Sequence, residues 1–281
     1  ALAGAVLVWS GACIAMKVAR AVGHPVFMVF VRMAGSVILL SPFLCRMARS
    51  APYAKGDWRI FALLVLSEPC LYFMFEAYAL KNTTASQAGI ITSLLPLLVG
   101  VGAFFILKER LPLSAWAGFF LAICGVVWLT LAGENTESAP NALLGNALEF
   151  CAMIMACSYT LCVRKLMRYP PFLISAAQAL AGMVFFGLML VVMGVPLPEE
   201  FPSPVPLLAL GFLSIATIVA YGLYNIGVAR LSAGQAAAWT NLIPALTLIM
   251  GILFLGDSLT LMQSLAILPI LAGVALSLGK R

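Results

Sequence analysis

Ten apolar stretches, each close to 20 residues long, leave this chain very little else to be. They run over 1–18, 25–46, 59–80, 84–107, 113–132, 142–164, 171–194, 204–229, 233–255 and 259–278, with breaks at proline, glycine and clustered charge. A helix rising 1.5 Å per residue needs about 20 such residues to cross a hydrocarbon core about 30 Å thick. Inside that core every backbone N–H and C=O must be satisfied within the protein, so the choice is between helices and closed barrels. The runs are continuous rather than alternating in blocks of about ten, which excludes the barrel pattern. Of the 281 residues only 9% are charged, where a soluble domain carries about a quarter. The reading is an all-α membrane protein of ten transmembrane helices with no soluble domain. The opening segment "ALAGAVLVWSGACIAMKVA" is expected to be a retained span, since no A-x-A-like cleavage site precedes a polar region.

The net charge of +6 does not point to nucleic acid, because its basic residues lie in short connections. With the N-terminus inside, the inner segments hold Arg46, Arg49, Lys55, Arg59, Lys108, Arg110, Arg164, Lys165, Arg168, Arg230, Lys280 and Arg281. The outer ones hold only Lys17, Arg20 and Lys81. Twelve against three predicts both termini on the cytoplasmic side. The seven cysteines show no C-x-x-C spacing and read as small apolar packers; neither a disulfide framework nor a metal site is expected.

A repeat divides the chain. "ALKNTTASQAGIITSLLPLLVGVGAFFILKERL" from Ala79 aligns with "ARLSAGQAAAWTNLIPALTLIMGILFLGDSL" from Ala229. Gln87 then meets Gln235, Thr92 meets Thr240, and Pro96 meets Pro244. The expected units are residues 1–133 and 141–281. Five helices is an odd number, so the second unit lies inverted relative to the first. Inverted repeats around a midplane site are a recurrent plan of secondary transporters.

The stretch "AYALKNTTASQAGIITSLLPLLVGVGAFFILKERLPLSAWAGFFLAICGVVWL" and its second-half counterpart resemble the EamA-type branch of the drug/metabolite transporter superfamily. So do Trp9 and Lys17 in the first run and Arg32 in the second. The resemblance implies two inverted five-helix repeats around a central cavity, lined by the first, third, fourth, sixth, eighth and ninth helices. It also implies metabolite export. Aromatic amino acid exporters of this family carry a glutamate on the third helix, near Glu68. Where they have a Trp–Pro pair on the fourth helix, this chain has Leu95–Pro96, which leaves the substrate open.

Within the third run, Glu68, Tyr72 and Glu76 recur at i, i+4 and i+8 and are expected to share one helix face. Glu68 falls about 14 Å deep, near the midplane. Carboxylates there are costly against lipid, so the stripe is expected to face the bundle interior or water. Arg32 and Glu149 lie about 10 Å below the outer surface. Arg32 is expected to form an ion pair with one glutamate. One base cannot neutralise Glu68, Glu76 and Glu149, so the surplus calls for protons or a cationic group. Trp9, Tyr72, Tyr159, Tyr221, Tyr224 and Trp239 could stack on a substrate, and Tyr221 and Asn225 share a face. The substrate-binding set is thus Glu68, Tyr72, Glu76, Trp9, Glu149, Tyr221, Asn225 and Trp239. Pro69 is expected to kink the third helix. Pro96 and Pro244, each mid-run, free the carbonyls of Thr92 and Thr240 and mark hinges, with Gln87 and Gln235 as capping groups of the two gates. Trp58 and Trp128 read as interface anchors.

No nucleophile–base set, metal-ligand cluster or P-loop is present in the sequence, so no enzyme and no cofactor is expected. The function read from these features is a secondary transporter in a bacterial inner membrane. It exports a small metabolite, such as an amino acid or amine-bearing solute, by alternating access with proton coupling. A cationic-drug or quaternary-amine carrier, or a channel-like facilitator, is the alternative. Its partners are a small-molecule substrate, the lipid bilayer and protons, and the chain is expected to act as a monomer.

Overall fold

The computed structural model describes residues 1–19, 22–49, 53–83, 88, 91–92, 94–109, 140–196, 198, 203–243, 246, 249–250 and 253. Among these the chain is helical throughout, with no strand. The elements are α1 (Leu2–Ala19), α2 (Pro25–Arg49), α3 (Asp57–Val65), α4 (Tyr72–Asn82), α5 (Leu95–Gly102), α6 (Ala142–Lys165), α7 (Pro171–Val192), α8 (Pro204–Arg230) and α9 (Ala233–Ala238). A wide π-helical turn over Leu66–Leu71 joins α3 to α4, so those elements form the third run. A second wide turn, Ala103–Leu107, extends α5 in the fourth run. The fifth and tenth runs, with Trp128, lie outside the described residues. Among the described residues five helices are long and apolar enough to cross a membrane: Pro25–Met47, Asp57–Ala79, Ala142–Lys165, Pro171–Val192 and Pro204–Arg230.

Local chemistry explains where these helices begin. Pro25, Pro171 and Pro204 open α2, α7 and α8, where a missing N–H costs nothing and the fixed φ is already helical. Asn141 caps α6 by accepting from Leu144 N at 3.1 Å. Gly56, at φ 100°, makes the left-handed turn that starts α3 with Asp57 in its first turn. At the end of the fourth run Lys108 itself turns left-handed, at φ 58°, and directs Glu109 back toward α6.

Helices of the two halves interleave. α1 lies along α8, α2 along α7, α4 and α3 along α6, and α5 against α9. Small residues permit the closest approaches: a Cβ at Gly35 would collide with the Ser214 side chain, and one at Gly227 with Leu2. The outer faces stay apolar, with Ile38 70% exposed and Leu208 72% exposed. Such faces are compatible with hydrocarbon and not with water. Trp58 is exposed at the start of α3, with Arg59 5.5 Å from its ring centroid, as an interface anchor would be.

One end of the bundle is tied shut by contacts between the halves. Asp57 accepts from Arg168 and from the Tyr169 hydroxyl at 2.6 Å, while Tyr169 accepts from Ala54 N at 3.3 Å. Burial, and then the bond to Asp57, push the Tyr169 phenol above its ordinary range. Arg164 pairs with Glu109 at 3.3 Å and donates to Val228 O at 2.8 Å.

Candidate functional site

The site starts from a broken helix. Pro69 cannot donate to the helix ladder and its ring crowds the preceding turn. Here Glu68 leaves helical geometry altogether, at φ −145° and ψ 120°. Its freed carbonyl accepts from Gln178 Nε2 at 3.3 Å, and its carboxylate accepts from the Tyr221 hydroxyl. The Pro69 ring rests against Gly182 of α7, where a Cβ would lie 2.7 Å from Pro69 Cγ. The expected kink is present, and the extended backbone of Glu68 within it changes the expected stripe. Tyr72 and Glu76 share a face on α4, the Tyr72 hydroxyl donating to Glu76 Oε1 at 2.9 Å. Glu68, lifted off the helix, turns instead toward α7 and α8.

Around Glu68 lies a buried polar and aromatic layer. Tyr159 donates to Asn225 Oδ1 at 2.7 Å, and Gln178 Oε1 stands 3.0 Å from the same hydroxyl. Asn225 Nδ2 donates to Ser175 Oγ and to Pro171 O, both at 3.3 Å. The Trp9 ring is 5.2 Å from both Tyr221 and Tyr224, and Tyr159 meets Tyr221 edge-on at 5.8 Å. Trp239 packs against this same cluster, and its buried Nε1 has no hydrogen-bond partner among the described residues.

Glu149 occupies a second acidic position, on α6. It is 2% exposed. Its Oε1 lies 3.0 Å from the Thr92 hydroxyl, which also donates toward Ala88 O at 2.9 Å, so one proton serves two acceptors. Glu149 Oε2 has no hydrogen-bond partner among the described residues. Glu76 and Glu149 act on each other through space, as do Glu76 and Glu68.

Arg32 departs from its expected pairing. Its Nε donates to Thr217 Oγ1 at 2.5 Å, and its guanidinium lies 5.0 Å from the Phe73 ring centroid. Among the described residues no carboxylate is within salt-bridge distance of it, although its field reaches Glu68 and Glu76. The hydroxyl of Thr217 on α8 and the π face of Phe73 together solvate the cation.

The hinge residues are placed differently from one another. Pro96 stands in the first turn of α5, after a turn at Leu94, rather than in mid-helix. Gln235 closes a capping box with Ser232 at the start of α9. Gln87 and Pro244 lie outside the described residues. A Cβ at Gly234 of α9 would meet Gly100 Cα on α5 at 3.5 Å, so the fourth and ninth runs cross closely.

Neither of two cavities lined by described residues touches Glu68. The larger is an apolar groove of about 210 Å³ between α2 and α7, lined by residues such as Leu40 and Leu180. The other, about 20 Å³, adjoins His24 and Lys81. Tyr221 bonds Glu68, and the Trp9 and Tyr159 rings pack against the Tyr221 ring. Tyr72, Glu76 and Thr92 remain half-buried, whereas Glu68 and Glu149 are buried.

Several participants escaped the sequence reading: Gln178, Ser175, Thr217 and Asn146. Gln178 is an amide within the otherwise apolar stretch "AAQALAG", and intramembrane polarity of that kind is itself a signal.

A model of the EamA-like transporter family matches residues 1–131 and 143–279. The uncharacterized transporter YetK of Bacillus subtilis is 28% identical over 262 residues, covering 88% of this chain and 76% of its own. An uncharacterized transporter of Archaeoglobus fulgidus is 24% identical over 282 residues, covering 100% of this chain and 96% of its own. A crystal structure 20% identical in sequence superposes with a TM-score of 0.74, covering 99% of this chain and 94% of that one, which speaks for the fold alone. With apolar helices long enough to span a bilayer and a family match over both halves, the chain is a multi-pass membrane protein belonging to the EamA-like transporter family.

Proposed function

We propose that the protein is a secondary exporter of a small amine-bearing metabolite, working by alternating access between two inverted five-helix units. It acts as a monomer in a bacterial inner membrane with both termini cytoplasmic, and leaves its substrate chemically unchanged. Support for the inverted plan comes from how the helices pair. Exchange the first run with the sixth, second with seventh, third with eighth and fourth with ninth. The first–eighth contact then becomes the sixth–third contact, and the second–seventh and fourth–ninth contacts return themselves.

One observation carries the substrate class. Glu68 and Glu149 are buried in the bundle and Glu76 is half-buried, and Arg32, the base whose field reaches Glu68 and Glu76, is engaged by Thr217 and Phe73. Enclosed carboxylates without a paired base demand a proton or a cationic group. The ammonium of a substrate supplies one, and protons supply the other when the site is empty of substrate, which couples the two. The ring layer of Trp9, Tyr221 and Tyr224 beside Glu68 favours a second reading as well, a quaternary-amine carrier, because aromatic faces attract such cations.

The test is Glu68→Gln in purified protein reconstituted into proteoliposomes. Loss of transport, or of its dependence on pH, with folding retained is the expected result. Transport and pH profile both unchanged would remove Glu68 from the mechanism.

A further inference from the structure

Among the described residues three buried side-chain atoms lack a hydrogen-bond partner, and two of them are neighbours: Asn146 Nδ2 and Glu149 Oε2. Both residues belong to α6, three positions apart, so they lie one above the other on one face, about 4.5 Å apart along the axis. They are 1% and 2% exposed. Their other atoms are engaged on the same side: the Thr83 hydroxyl donates to Asn146 Oδ1 at 2.7 Å, and Glu149 Oε1 faces Thr92 at 3.0 Å. Those contacts fix both side chains and leave one donor and one acceptor unused. Native interiors pair nearly all such groups, so two unpaired ones of opposite character on one helix face call for a ligand.

Resting on the reading of the substrate as an amine, we propose that Asn146 and Glu149 form a two-point anchor for a solute whose protonated amine and oxygen acceptor stand on neighbouring carbons. The ammonium donates to Glu149 Oε2, and the adjacent oxygen accepts from Asn146 Nδ2. A plain amine satisfies only Glu149 and leaves a buried donor unmet. A plain carboxylic acid satisfies only Asn146 and brings a second negative charge toward Glu149. The anchor therefore selects for the pair of groups, and it is built on α6, apart from the Glu68 layer, where Tyr221 donates to Glu68 Oε1 and Gln178 to the Glu68 backbone carbonyl. In this proposal the solute enters past the half-buried Tyr72 and Glu76, the latter close enough for its charge to act on Glu149. Beyond the anchor, Ile91, Leu95 and Met153 offer an apolar wall for the remainder of the solute.

The experiment is a ligand-dependent thermal shift of the purified full chain, with matched sets of probes. One set is L-leucine, leucinol, isoamylamine and 4-methylpentanoate; a second is L-phenylalanine, phenylalaninol, phenethylamine and 3-phenylpropionate. A ligand that binds only the folded state raises its apparent stability by mass action. In the wild type, the amino acid or amino alcohol of a set is expected to act at concentrations at least tenfold below its plain amine. In Asn146→Asp, which keeps the acceptor for Thr83 and replaces the donor, that tenfold preference is expected to vanish while the plain amine still acts. Glu149→Gln is expected to lose both. A wild type that responds to plain amines as well as to the paired compounds overturns the anchor and leaves the amine reading standing. A wild type that responds to no amine in either set overturns both. The comparison within the wild type needs no variant to fold, and Asn146→Asp weakening every probe equally also overturns the anchor.

Discussion

Replacing Gly182 with alanine probes whether the position of the helix break matters to transport. A Cβ there would stand 2.7 Å from Pro69 Cγ, 2.9 Å from Met33 Cγ and 3.1 Å from Met33 Sδ. Carbon atoms rest at about 3.5–4.0 Å, so Pro69 must withdraw by about 1 Å. Methionine can repack, but the proline ring is rigid and transmits the push to the Leu66–Leu71 turn. Overpacking of this kind costs about 1–3 kcal/mol. Alanine returns about 1 kcal/mol of helix preference over glycine, so the net loss of stability is about 0–2 kcal/mol. The effect on function is larger, because the residue displaced with Pro69 is Glu68, whose carbonyl and carboxylate are held by Gln178 and Tyr221. A shift of that size removes hydrogen bonds that involve a charged group, about 1.5–3 kcal/mol, or about tenfold to a hundredfold in an equilibrium. Substrate exchange in proteoliposomes, normalised to folded protein, should fall at least tenfold while the purified variant remains monodisperse. Gly187→Ala is the control on the same helix: its Cβ would meet only the Phe30 ring, at 3.2 and 3.5 Å, and a ring can pivot. If the two variants exchange substrate equally well, the break does not position Glu68 for transport.

Thr217→Val removes the acceptor of Arg32 Nε and should lower thermal stability by about 1.5–3 kcal/mol, with Thr217→Ser close to wild type; equal melting of all three would show that the Phe73 contact suffices. Arg168→Asp sets two carboxylates against each other at the tied end of the bundle and should slow exchange, while the double change Asp57→Arg with Arg168→Asp restores it. Failure of the double change to recover exchange, in protein that folds, would mean that this contact is not part of the gate.

Much of the helical layout could be read from the chain because its signals are local. Pro25, Pro171 and Pro204 begin α2, α7 and α8 within or beside the expected runs, and the charges that end α6 and α8 fall where those helices stop. The site was legible in part. Glu68, Tyr221, Asn225 and Trp9 do converge, and Tyr72 does meet Glu76. The expected kink at Pro69 is there, but its size could not be read from the chain: a period of 3.6 residues places Glu68 over Tyr72 only along a regular helix, and Glu68 leaves helical φ and ψ. The partner of Arg32 was hidden for another reason. Thr217 lies 185 positions away, and a hydroxyl in an apolar run attracts less notice than a carboxylate. Gln178 and Asn146 were overlooked likewise, being neutral amides whose role depends on which helix they face.

The measurement that bears most directly on alternating access is labelling of Tyr72→Cys, in protein whose native cysteines are replaced, by a maleimide that cannot cross membranes. Tyr72 lies beside Glu76, between the buried acids and the half-accessible face. Reagent applied to right-side-out and to inside-out vesicles should modify the position from each side, with a transported amine shifting the balance between the two. Protection from both sides under every condition would mean that the acids are packed away from any water-filled path, and transport would have to proceed elsewhere.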